Sequence, residues 1–164
     1  MKLTVTDRLI LRNQLTIMKA LKVPNISSSQ YDEMIEIVES GYEIFYSDVL
    51  SGVSEDDTPR TVTKEVLDIL DLFRALHDAE QNGVKLNPGR GYAKFAGFDG
   101  NASTGHLGFS RFLLDVQGKY QESAPARNSH SGGTLAVYQR MVATWKSLGG
   151  RYQLSQADAD AILK

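Results

Sequence analysis

The chain contains no cysteine. That excludes disulfides, zinc–thiolate sites and thiol nucleophiles, and it suits a reducing compartment. Histidine is almost as scarce. His77, His106 and His130 are the only three, and no two are three or four residues apart, so no helical metal pair exists. Long apolar runs are missing too. No stretch nears the roughly 18 to 20 uninterrupted apolar residues of a membrane span. The first residues, "MKLTVTDRLILRNQ", put Asp7, Arg8 and Arg12 where a signal peptide is apolar. These absences lead us to expect a soluble, cytoplasmic protein with no membrane partner. Internal repeats and low-complexity tracts are also lacking.

What is present is a chain of 164 residues, read as a single helical domain over 1–164. A chain of this size buries about 70% of its unfolded surface and needs no disulfides or metal to fold; no cofactor is expected. The net charge is only −2, but it is unevenly laid out. Residues 32–80 hold 14 of the 20 acids, with only Arg60, Lys64 and Arg74 as bases, so that segment is −11 and the rest is +9. The plainer explanation is a fold that packs basic helices beside acidic ones. The sharper one is self-association or a charged partner.

Helix signals dominate. Thr4 and Asp7 form a capping box, and a first helix follows to about Lys22 with Leu11, Leu15, Met18 and Leu21 as its stripe. Ser29 and Asp32 form a second box ahead of Met34, Ile35 and Val38, and Gly41 ends that helix. Thr58 and Pro59 open the longest helix, to about Gln81. There Val62, Val66, Ile69, Phe73 and Leu76 step by four and three. Phe109, Phe112 or Leu113, Val116 and Tyr120 recur at helical spacing. Tyr138, Met141, Val142, Trp145 and Leu148 mark another helix, and Ser155 with Asp158 caps a last one. "YAKFAGF" is at most one short extended segment, and 121–133 is the most polar, loop-like stretch. Six to seven helices and no more than one stray strand make an all-α domain.

One stretch imitates chemistry. "GNASTGHL" has the glycine spacing of a phosphate-binding loop, yet His106 and Leu107 stand where the loop needs its lysine and its magnesium-binding hydroxyl. The helical pattern also lacks the parallel sheet such a loop belongs to. The better reading is architectural: Asp99 caps a helix near Asn101 or Ala102, Gly97 and Gly100 let the chain turn, and Gly105 and Gly108 admit a neighbouring backbone.

Other candidates are weaker. His77 borders the apolar stripe and reads as a partly buried structural histidine. His130 reads as solvated. Ser110 follows Gly108, but Phe112 replaces the second glycine of a nucleophile elbow. Asp68 and Asp71 read as the solvated face of their helix rather than as an acid–base pair. From residue 81 on the chain is +5 and interleaves bases with aromatics, including Arg90, Tyr92, Lys94, Phe95, Arg111, Phe112, Arg140 and Trp145. Single-stranded nucleic acid is bound by such surfaces. But Phe112 and Trp145 fit apolar stripes, and a pI near 5.9 argues against a dedicated binder, so this reading stands second. Asn13 and Gln14 fit either a helix contact or oligomer seam, or an exposed polar face.

"RLILRNQLTIMKAL" at 8–21, "IVESGY" at 37–42, "ALH" at 75–77, "FAGFDGNASTGHLGFSRFLLDVQGKY" at 95–120, "YQRMVATW" and "YQLS" together resemble the YfbU family. The matches run in order along nearly the whole chain. The resemblance implies a bacterial, cytoplasmic, mainly helical domain that self-associates. It also implies that Arg111 and Tyr120 line a groove. Some relatives carry a ribbon-helix-helix segment; none is recognised here, so duplex reading is not carried over. The family brings no catalytic residues. The leading reading is therefore a helical interaction or regulatory module, homo-oligomeric or with a protein partner. Its rivals are a nucleic-acid binder and, more distantly, a small hydrolase or transferase needing His77, Asp99 and Arg111 to converge. The residues expected to matter are Asn13, Gln14, His77, Asp99, Arg111, Tyr120 and Arg140.

Overall fold

A computed structural model of the chain describes residues 2–54 and 56–164; Met1 and Glu55, the latter within the loop expected before Pro59, lie outside them. Among the described residues there are seven α-helices: α1 Val5–Ala20, α2 Ser28–Ser40, α3 Tyr46–Val49, α4 Arg60–Gln81, α5 Thr104–Arg111, α6 Thr134–Ser147 and α7 Gln156–Leu163. No strand forms among them, and the "YAKFAGF" run supplies only an isolated parallel bridge between Phe98 and Asn128. The fold is all-α, as expected. The chain packs as two units, 1–56 and 57–164.

The first unit pairs α1 with α2. Leu15 of α1 meets Tyr31 and Val38 of α2, with Leu11, Met18, Met34 and Ile35 packed around them. Each helix start is held by a capping box. Asp7 N–H donates to Thr4 Oγ1 at 3.2 Å while Thr4 N–H donates to Asp7 Oδ2 at 2.8 Å. The box of α2 is formed by Ser27 and Gln30, two residues before the expected pair. Asp32 is drawn off instead by an ion pair with Lys19. Gly41 ends α2 in the left-handed region, at φ 75°.

The second unit is built on α4. Val66, Ile69, Leu70, Leu72, Phe73, Ala75, Leu76 and Ala79 are buried along it. Each large apolar side chain so enclosed contributes about 1.5–3 kcal/mol. Five aromatic rings form the densest region. Phe73, Tyr92, Phe95 and Phe98 all lie 5.0–5.9 Å from Tyr138, centroid to centroid. Such edge and offset contacts add to plain burial. The loop expected at 121–133 is pinned to this cluster. Phe98 N–H donates to Arg127 O, Ser129 N–H to Phe98 O, and Gly100 N–H to Asn128 Oδ1. Gly97 makes the crossing possible: at φ 90°, a Cβ there would lie 2.0 Å from Arg127 O.

Several local expectations are overturned. Leu21 lies past the last turn of α1 and is exposed rather than part of its core stripe. Helix α4 starts after Pro59, and Thr58 makes no capping bond. Asp99 does not cap α5, which begins at Thr104. Its carboxylate closes a local turn by accepting from Asn101 N–H at 3.0 Å, and the α5 N-cap is Ser103. Gly105 meets only the side chains of Val62 and Thr58, and Gly108 meets nothing within 4 Å, so neither admits a neighbouring backbone. After α5 the chain forms one π turn, Phe112–Val116, closed by Gln117 N–H to Phe112 O at 2.8 Å. The wider turn breaks the 3.6-residue rhythm. Leu113 and Leu114 go into the core, while Phe112 and Val116 face solvent instead of joining the stripe.

Candidate functional site

Helix α1 carries two stripes. Leu11, Leu15 and Met18 face α2. A second set, Asp7, Ile10, Gln14 and Ile17, steps by three and four around another face, with Leu3 just before the Thr4 N-cap and Leu21 at the C-cap extending it at either end. Of these, Ile10, Ile17 and Leu21 stand exposed, Leu21 at 72%. Apolar residues at this spacing form a helix seam when a partner is present. The half of the stripe around Leu3 and Ile10 forms one wall of a groove of about 740 Å³. Its other wall is the 3₁₀ turn Glu43–Phe45, α3 and the residues up to Ser54. Ile44, at 83% exposure, and Val53, at 76%, stand at its rim. Among the described residues nine of the thirteen exposed large apolar side chains belong to 1–56, although that unit is the smaller. Apolar exposure this concentrated departs from the single scattered residues of an ordinary surface.

The segregated charge is largely used inside each unit. In the first, Arg12 reaches Glu39 at 3.4 Å and Lys19 pairs with Asp32. Arg8 donates to the Val38 and Glu39 carbonyls at the end of α2, 3.3 Å from each, where a cation also suits the helix dipole. In the second, Asp68 is shared by Lys64 and Lys146. Partial burial raises the pKa of its carboxyl, but the two lysines outweigh that and hold it below the ordinary value. Asp71 accepts from Tyr120 Oη–H at 2.9 Å. The expected solvated face of α4 thus holds two half-buried carboxylates already engaged by neighbours.

No hydrogen bond or ion pair among the described residues joins the residues singled out in the sequence to one another. Asn13 and Gln14 are exposed, and Asn13 Oδ1 accepts from Arg12 at 3.0 Å. Gln14 is the residue of the pair that lies on the second stripe. His77 is half-buried on α4. Asp99 is half-buried in its turn, and Arg111 and Arg140 are exposed on α5 and α6. No hydrogen bond among the described residues joins His77, Asp99 and Arg111. Tyr120 does not project from the α5 helix at all. It lies beyond the π turn, left-handed at φ 52°, and only 8% exposed. Arg74 covers its ring, 4.1 Å from the centroid. Burial, then its bond to Asp71, pushes its hydroxyl well above the ordinary value, so it stays a neutral donor.

His106, not His77, is the histidine with a carboxylate. Its Nε2 lies 2.7 Å from Glu65 Oε2, and Gln139 Nε2 donates to Glu65 Oε1 at 2.7 Å. A carboxylate acceptor places the proton on Nε2. The arrangement ties α4, α5 and α6 together. Ser110 is fully buried and donates to Leu107 O, so it presents no nucleophile. Among the described residues no three His, Asp or Glu side chains are placed to share a metal ion. No helix is long and apolar enough to cross a membrane. Of the basic-aromatic half, Phe95 and Tyr92 pack against the core, and Trp145 is buried with its indole N–H donating to Arg151 O at 2.8 Å. Phe112, beside Arg111, is the exposed ring of that set.

The YfbU domain model matches residues 1–164. The UPF0304 protein MJECS11 of Methanocaldococcus jannaschii is 35% identical to this chain over 174 residues, covering 98% of each. The chain belongs to the YfbU family. The relative is archaeal, so the family is not confined to bacteria. The sequence motifs that suggested this membership fall in both units: α1 and α2 in the first, the Gly97–Gly100 crossing, α5 and α6 in the second. The exposed stripe of this YfbU protein was missed in the sequence, although Leu3, Ile10 and Ile17 repeat at seven residues. The buried stripe interleaved with it drew the attention.

Proposed function

We propose that this YfbU protein is a self-associating helical interaction module of regulatory type, acting in the cytoplasm, with its association surface on the N-terminal unit. The observation that carries this is the apolar exposure gathered around the α1 stripe and its groove. The second unit spends its aromatics internally and exposes few large apolar groups. The two units serve as one module in this reading. In support, the family model spans both. The lack of cysteine suits the reducing compartment.

A native mass spectrum of the purified protein tests the reading. A multiple of the 18.1 kDa chain with no further mass supports it. A monomer carrying an excess of a few hundred daltons points to a small ligand and overturns it in favour of an enzyme or sensor. A heterogeneous, nuclease-sensitive excess makes nucleic acid the partner. A gel shift that fades with salt would then confirm that rival.

A further inference from the structure

We infer that the occupant of the α1 groove is the α1 helix of a second copy, laid antiparallel, so that Ile17 and Leu21 of each chain fill the groove of the other. The inference rests on the self-association proposed above and specifies its geometry. The groove and the projecting side chains belong to one continuous stripe. Its early half, Leu3 and Ile10, lines the groove, and its late half, Ile17 and Leu21, stands outside it and exposed. A surface with a hollow at one end and knobs at the other matches a copy of itself only when reversed. A two-fold axis crossing α1 between Ile10 and Gln14 does this and closes the assembly at two chains. Reversal also puts charges in register. The groove wall contains Asp7 and Glu43, and the end of α1 that would enter it leads into Lys22. Hydrogen bonds from Thr4 hold the Asp7 carboxyl below its ordinary value, so it is anionic at neutral pH. A parallel pairing would stack knobs against knobs and leave both grooves empty. Gln14, a polar position in an apolar seam, then fixes register, as single polar residues do in coiled coils.

The natural absence of cysteine makes the test clean. Leu3→Cys and Leu21→Cys proteins are each treated with a short bis-maleimide, alone and after mixing and re-equilibration. The two positions flank the 16 residues of α1, about 24 Å of helix and well beyond the reagent. The antiparallel dimer yields covalent dimer in the mixture and little in either protein alone. Light scattering of the unaltered chain separates the two levels of the claim. If it is a monomer at 100 micromolar, the proposed function falls together with this inference. If it is a dimer and Leu21→Cys cross-links alone, or the mixture does not cross-link, the antiparallel geometry is wrong while self-association stands. Ile17→Asp should weaken association by at least tenfold with helix content unchanged. Val116→Asp, an equally apolar exposed site on the other unit, should leave it unaltered.

Discussion

Two tyrosines are enclosed to the same degree, one in each unit, and their hydroxyls are treated differently. Tyr138 is fully buried, sits against four other aromatic rings, and its hydroxyl oxygen accepts from Ala96 N–H at 2.8 Å. Tyr31 is 1% exposed, and its hydroxyl has no partner among the described residues. The contrast holds for the units as wholes. The second has a long central helix, a deep aromatic core and a loop stitched to it. The first has a thin core, with Leu15, Tyr31 and Val38 at its centre, and leaves nine large apolar side chains exposed. One unit is optimised for packing against itself. The other leaves more large apolar side chains exposed, which is the ground for the association proposed above.

The contrast can be broken first in the cores. Truncating Phe98 to Ala removes a ring central to the cluster, and should cost about 3–5 kcal/mol in denaturant unfolding. Leu15→Ala should cost less, nearer about 2–3 kcal/mol, because its site borders solvent and can collapse. Equal losses would mean that the first unit is as tightly packed as the second. The tyrosine pair sharpens the point. Tyr138→Phe leaves the Ala96 N–H unpaired, so a loss of about 1–3 kcal/mol is expected, whereas Tyr31→Phe removes an orphaned hydroxyl and should be neutral or slightly stabilising. A loss above about 1 kcal/mol for Tyr31→Phe would show that its hydroxyl has a partner.

The smallest expected effect is acid sensitivity. Asp158 caps α7 by accepting from the backbone N–H and then the hydroxyl of Ser155, which lowers its pKa below the ordinary 3.8. Asp7 is lowered by the hydroxyl and backbone of Thr4. A depressed folded-state value means that each carboxylate stabilises the fold above the unfolded value and that this support is lost as pH falls through the folded one. Stability should therefore decline below about pH 4, and Asp158→Asn should narrow the difference in urea midpoint between pH 3 and pH 6. An unchanged difference would show that the cap does not carry this dependence.

Much of this fold was legible because helix ends and faces depend on local chemistry. Thr4 with Asp7, Ser155 with Asp158 and the left-handed Gly41 act within one turn, and the α4 stripe needs only spacing. What was not legible depended on local backbone geometry or on distant partners. Asp99 looked like a cap because its use by Asn101 could not be seen. Phe112 and Val116 looked buried because a π turn is invisible to a 3.6-residue count. Tyr120 looked like a groove residue until Asp71 and Arg74, far along the chain, closed over it. The α1 stripe is a different case: its repeat was in plain view, but an apolar repeat does not say whether the molecule covers it itself.

Light scattering of the unaltered protein and of the Ile17→Asp/Leu21→Asp variant, from about 1 to 100 micromolar, tests the central claim most directly. The account predicts twice the 18.1 kDa chain mass for the first and the single-chain mass for the second, with matching helix content. A dimer that survives the double substitution would contradict it, as would a monomer in both.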